Sequence, residues 1–139
     1  MSSVAGTRTT SSVNRTVAYV VGIVFLLVGI LGWFVSHGHS FADRTGGSLL
    51  GFQVNPLHNI VHLLVGIVLI VGARSGLSAA RAANTAVGAV YLLVGIIGLF
   101  ILNRSANILA LNSADNVLHL VSAVVLLGAG LFADKQAGR

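Results

Sequence analysis

The sequence predicts an all-α fold, a four-helix transmembrane bundle built from two tandem helical hairpins. Three observations predict it. Of the 139 residues, 55% are hydrophobic and only 8% charged, where a soluble domain carries about 25% charged residues. The apolar residues gather in four blocks, 17–35, 57–73, 86–102 and about 114–133. The first and third blocks, and the second and fourth, are near copies of each other.

Each block is close to the roughly 20 apolar residues that cross a bilayer, with about 17 as a lower limit. None contains Lys, Arg or Glu, and Asp115 near the start of the last is their only acid. A soluble bundle would need polar outer faces, and "AVGAVYLLVGIIGLFIL" has none. The lipid bilayer is therefore the expected surrounding.

Residues 1–14, Ser/Thr-rich and without apolar period, read as a disordered tail. The membrane domain is expected over 15–133, followed by a short tail at 134–139. The first block, 19 residues long, exceeds the roughly 7–15 of a signal-peptide core and reads as a retained helix. The second helix begins at Asn55-Pro56, an N-cap followed by proline at the first helical position. The third starts at about 86, after a polar loop at 74–85. On the fourth, Asn112 or Ser113 is the expected cap.

The repeat is specific. "VGIVFLLVGILGWFV" (21–35) matches "VGAVYLLVGIIGLFI" (87–101) at an offset of 66, aligning Gly22, Gly29 and Gly32 with Gly88, Gly95 and Gly98. "NPLHNIVHL" (55–63) matches "NSADNVLHL" (112–120) at an offset of 57. Both copies start on the same side, so the expected axis lies along the membrane normal. Lipid gives helices no hydrophobic reason to associate, so small residues that permit close packing do this instead. The aligned glycines form such a stripe, and Gly66 with its partner Ala123 continues the histidine face of the even helices.

With four helices, both termini fall on one side. That side carries Arg8, Arg15, Arg74, Arg81, Lys135 and Arg139, against Arg44 and Arg104 on the other. The positive-inside rule makes the first side cytoplasmic. His37 and His39 then lie in an outer loop, and His58, His62 and His119 near the outer ends of helices 2 and 4.

The polar residues suggest one site. His58 and His62 are one helical turn apart, as are Asp115 and His119, and the repeat sets the two pairs facing each other. Asn59 and Asn116 lie beside them. Three readings follow. The polar side chains bond across the bundle as structural elements. Or three imidazoles and a carboxylate hold a divalent metal, with Asn59 and Asn116 orienting the rings. Or His62 and His119 are the axial ligands of a haem.

No hydrolase or phosphate-binding motif is present, and there is no Glu or Cys. The chain is not expected to be an enzyme. The formal charge of +5 sits singly at block ends, not in a stripe, so nucleic acid is not expected as a partner. A homo-oligomer or a larger membrane complex is compatible with the pattern.

The stretches "GFQVNPLHNIVHLLVG" and "NSADNVLHLVSAVV", with "VGIVFLLVGILG" before them, resemble a family of small four-helix membrane proteins frequent in actinobacteria and known as a domain of unknown function. The similarity covers about 15–133 and is most specific at Asn55, His58, Asn59, His62, Asp115, Asn116 and His119. It implies a bacterial inner membrane protein and supplies no activity.

Overall fold

A computed structural model describes residues 12–135. Four helices dominate it: α1 Val13–Val35, α2 Pro56–Ser75, α3 Leu77–Ile101 and α4 Ser113–Phe132. All four are long and apolar enough to cross a membrane. Their outward faces are Val, Leu, Ile and Phe, among them Phe34, Leu64, Phe100 and Val124. Only a lipid environment makes so large an apolar exterior inexpensive.

Local chemistry sets each helix start. The Ser12 side chain accepts from the Arg15 N–H and begins α1. Asn55 accepts from the His58 N–H and Pro56 follows it, beginning α2 as expected. Asn112 accepts from the Asp115 N–H while the Asp115 carboxylate accepts from the Asn112 N–H, a reciprocal capping box that opens α4.

Two boundaries differ from the sequence expectation. Helix α3 begins at Leu77, not near 86, and only Gly76, with φ +121°, separates it from α2. The expected 74–85 loop is therefore mostly helix. "LSAARAAN" is polar relative to lipid but rich in alanine, the strongest helix former. Its composition marks where the helix leaves the bilayer, not where it ends. Helix α1 likewise starts at Val13, and Asn14 within it is fully buried, so residues 12–14 belong to the fold. Residues 1–11 of the expected tail, and 136–139 at the other end, lie outside the described residues.

The loop between α1 and α2 holds a two-stranded antiparallel hairpin with no counterpart in the sequence expectation, β1 Gly47–Leu49 and β2 Phe52–Val54. Its two-residue turn places Leu50 at φ 51° and Gly51 at φ 89°, the paired positive φ of a type I′ turn. The Asn55 amide donates to the carbonyls of Asp43 and Ile108, each at 2.7 Å, joining the α1–α2 and α3–α4 loops. Asn112 donates to the Gly51 carbonyl at 2.9 Å.

Inside the bundle the repeat is visible as recurring contacts. Gly22 packs against Leu69, and Gly88 against Leu126. Gly29 faces Leu63, and Gly95 faces Leu120. Gly32 makes room for Asn59 and Val54, Gly98 for Asn116 and Leu111. Every pair keeps the offsets of 66 and 57 read from the sequence. Gly66 lies against the Gly22 carbonyl and the Leu26 backbone, and its counterpart Ala123 is fully buried. The core between the hairpins is Phe25, Leu69, Tyr91 and Leu126, with Ala18, Ala73, Ala80 and Ala123 around it.

Candidate metal centre

The capped start of α2 puts His58 in the first turn and His62 one turn deeper on the same face. The capping box of α4 places His119 at the matching depth. All three side chains are only 1% exposed. The ring centroids of His58 and His62 lie 4.5 Å apart, those of His58 and His119 5.6 Å, and those of His62 and His119 6.0 Å. One nitrogen from each ring lies within 4.8 Å of the other two.

None of the six ring nitrogens makes a short hydrogen bond among the described residues, and only the His58 ring faces backbone groups, those of Leu109 and Gln53. Such nitrogens suit a metal, because the neutral imidazole lone pair is a strong donor to zinc, copper and iron. At zinc–nitrogen bonds of about 2.0–2.1 Å and tetrahedral angles, ligand atoms sit about 3.3 Å apart. Reaching that from a 4.8 Å limit needs a movement of at most about 1.5 Å, within the reach of side-chain rotation.

Asp115 does not join the group. Its Oδ2 accepts from the Asn112 N–H at 2.9 Å and from the Gln53 N–H at 3.2 Å, binding α4 to the hairpin. The repeat equates Asp115 with His58, but only the acid can reach back to its own cap, and Asn-x-x-Asp at a helix start favours that bond. The asparagines also serve elsewhere. Asn59 donates to the Ser36 hydroxyl at 2.8 Å, and Asn59 and Asn116 each sit over a glycine notch, Gly32 and Gly98. Neither orients an imidazole. His37 and His39 stay in the loop between α1 and α2 and are not part of the cluster.

A family profile for DUF4383, a domain of unknown function, matches residues 15–132. The chain belongs to the DUF4383 family. No curated protein and no solved structure matches it. The matched DUF4383 stretch contains His58, His62 and His119 along with α2, α3 and α4. The family description carries no chemistry, so the site is argued from its geometry.

Two aromatic residues complete the DUF4383 site and were missed in the sequence. Phe25 stacks on His62 with centroids 5.2 Å apart and planes 7° from parallel. Tyr91, its partner in the repeat, lies 5.0 Å from His119 and 6.4 Å from His62. Tyr91 is 3% exposed and its hydroxyl has no hydrogen-bond partner. The repeat alignment held the signal, since Phe25 and Tyr91 fall under each other in the matched segments.

The three histidines and Tyr91 border a cavity of about 30 Å³. That volume suits a single ion or a water molecule. It gives a haem macrocycle no room, so His62 and His119 fit a small ion better than axial positions on a porphyrin.

The opposite end of the bundle is tied by a polar latch. Asn84 donates to the Asn14 carbonyl and side-chain oxygen, both at 3.0 Å. Asp134, just past α4, accepts from the Asn14 N–H at 2.8 Å and its amide at 2.9 Å, and from the Val13 N–H at 3.3 Å. Burial alone raises this carboxyl. The bonds from Asn14 and Val13 and the nearby Arg81 outweigh that, and hold Asp134 below the ordinary carboxylate value.

Proposed function

We propose that this DUF4383 protein is an accessory membrane component that holds one divalent transition-metal ion on His58, His62 and His119. The observation that carries this reading is the buried group of imidazole nitrogens within 4.8 Å of one another, with those of His62 and His119 lacking any hydrogen-bond partner. A buried polar group left unpaired costs about 1–3 kcal/mol. A shared cation engages one nitrogen of each ring and removes much of that cost. Three protein ligands leave a fourth position open. The chain has no Glu, and Asp115 Oδ2 is engaged by the α4 cap and by the Gln53 N–H. This supports a binding role over hydrolytic catalysis.

The metal lies toward the outer face of a bacterial cytoplasmic membrane, with both termini cytoplasmic. Basic residues support this: Arg15, Arg74, Arg81 and Lys135 belong to one end of the bundle, Arg44 and Arg104 to the other. A periplasm-active reporter inserted at the β1–β2 turn is expected to be active, and one at the C-terminus silent.

Elemental analysis of the protein purified in mild detergent tests the metal. One equivalent per chain is expected in the wild type, with a near-complete loss in His62→Leu and His119→Leu. Equal metal content in mutants and wild type would sink the site. The remaining reading is then structural, favoured by the parallel stacking of His62 on Phe25, which gives the ring a packing role of its own.

A further inference from the structure

The space beside the histidines is built unevenly. Four valines form most of its remaining wall: Val61 and Val65 from α2, Val90 and Val94 from α3. Val90 is 54% exposed on the outside of the bundle, and Val61, Val65 and Val94 are half-buried. The cavity therefore lies just beneath the seam between α2 and α3, which faces lipid. Toward the outer face, by contrast, Val54, Asn55, Ala110 and Leu111 are all buried and held by the joined outer loops. The imidazoles apart, the Tyr91 hydroxyl is the one polar side-chain group among the lining residues. It is also unpaired, and the other half of the repeat has Phe25 in its place.

We infer that the open fourth position of the metal takes a small uncharged diatomic molecule, of the dioxygen, nitric oxide or carbon monoxide class. The ligand arrives from the bilayer through the α2/α3 seam, and the Tyr91 hydroxyl donates a hydrogen bond to it. This inference rests on the metal reading above. Its reasons are size, polarity and access. A cavity of about 30 Å³ beside the three rings leaves room for only a very small ligand. Valine walls disfavour an ion or a strongly hydrated molecule, which would surrender its water without replacement. Apolar gases dissolve in lipid and need no aqueous channel. A bound diatomic carries partial negative charge on its outer atom, which a single buried donor stabilises strongly at low dielectric.

The experiment uses the full chain in detergent, loaded anaerobically with Cu(I) and exposed to carbon monoxide, with copper measured separately. A single C–O stretching band is expected in the infrared. Tyr91→Phe should retain copper and carbon monoxide but shift the band upward, because the donor that promotes back-donation is gone. Val90→Trp, at an exposed position that accepts a larger side chain, should slow rebinding after photolysis at least tenfold. Val65→Phe should do the same if the first variant is poorly produced. Val124→Trp, on the lipid face of α4, should leave the rate unchanged. Copper bound without a carbon monoxide band would overturn the inference and leave the metal site standing. So would an unshifted band in Tyr91→Phe, or unchanged rebinding in the seam variants. Absence of copper in the wild type, together with no divalent metal in the elemental analysis above, would overturn both.

Discussion

Phe25 and Tyr91 meet at the centre of the bundle with ring centroids 5.1 Å apart, each also set against the deeper histidine of its own repeat, His62 and His119. The pair lies where the two copies come together, and it shows how a duplicated hairpin becomes an asymmetric site. One copy contributes a ring without a polar atom, the other a phenol. One turn outward the same divergence recurs: His58 enters the cluster, and its counterpart Asp115 turns back to cap α4.

Asp115→Ala separates the structural role of this acid from a ligand role. It removes the acceptor for the Asn112 and Gln53 N–H groups. A cost of about 0.5–2 kcal/mol in unfolding free energy is expected, the usual size of a lost helix cap. Metal content should stay at one equivalent per chain. Loss of metal in a folded variant would mean that the carboxylate moves into the coordination shell.

The helix contacts predict an ordered glycine series. A Cβ at Gly66 would meet the Gly22 carbonyl at 2.8 Å and the Leu26 backbone at 2.9 Å, neither of which can yield without parting α1 from α2. Gly66→Ala should destabilise the protein by about 1–3 kcal/mol, as overpacking does. At Gly22 the nearest atom is Ile70 Cγ1, a side-chain atom at 2.9 Å, and a smaller loss is expected. Gly128 has no neighbour within 4 Å, so Gly128→Ala should be neutral or stabilising by up to about 1 kcal/mol. Unfolding in mixed detergent micelles measures the series, and a Gly128→Ala loss equal to that of Gly66→Ala would contradict it.

Leu50 occupies the first position of the hairpin turn at φ 51° while 91% exposed. A bulky residue in this region costs about 1–2 kcal/mol, whereas asparagine tolerates it. Leu50→Asn should raise stability by about 1 kcal/mol, read from the same unfolding assay. A decrease would show that the leucine makes a compensating contact with the bilayer surface.

The latch at Asp134 is expected to be sensitive to acid. Its carboxyl is held below the ordinary value in the folded protein. The stabilisation is therefore fully present above the unfolded value of about 3.9 and fades as pH falls through the lower folded value. Hydrogen exchange at the Val13 and Asn14 amides, which donate to this carboxylate, should rise relative to mid-helix amides across that acid range. In Asp134→Asn the relative protection should be weaker at neutral pH and no longer change with acid.

By itself the sequence determined the class, the spans and the repeat. Lipid imposes a length and an apolar composition on each helix, and both are written locally in the chain. Close packing requires glycine at fixed spacing, so Gly22, Gly29 and Gly32 and their copies were legible as well. The pairing of His58 and His62 followed from Asn55-Pro56, because a cap fixes the helical phase of everything after it. Only the tertiary structure decided which polar residues meet. Asn59 and Asn116 are directed by the glycine notches of α1 and α3, and Asp115 by a cap bond and by Gln53 in a hairpin with no clear sequence signal. The start of α3 also escaped the sequence, since hydropathy reports where a helix leaves lipid while the backbone continues until Gly76 interrupts it. Tyr91 enters the site through the packing of α3 against α4. Its sequence shows a tyrosine on a helix, and the contact with His119 exists only once α3 packs against α4.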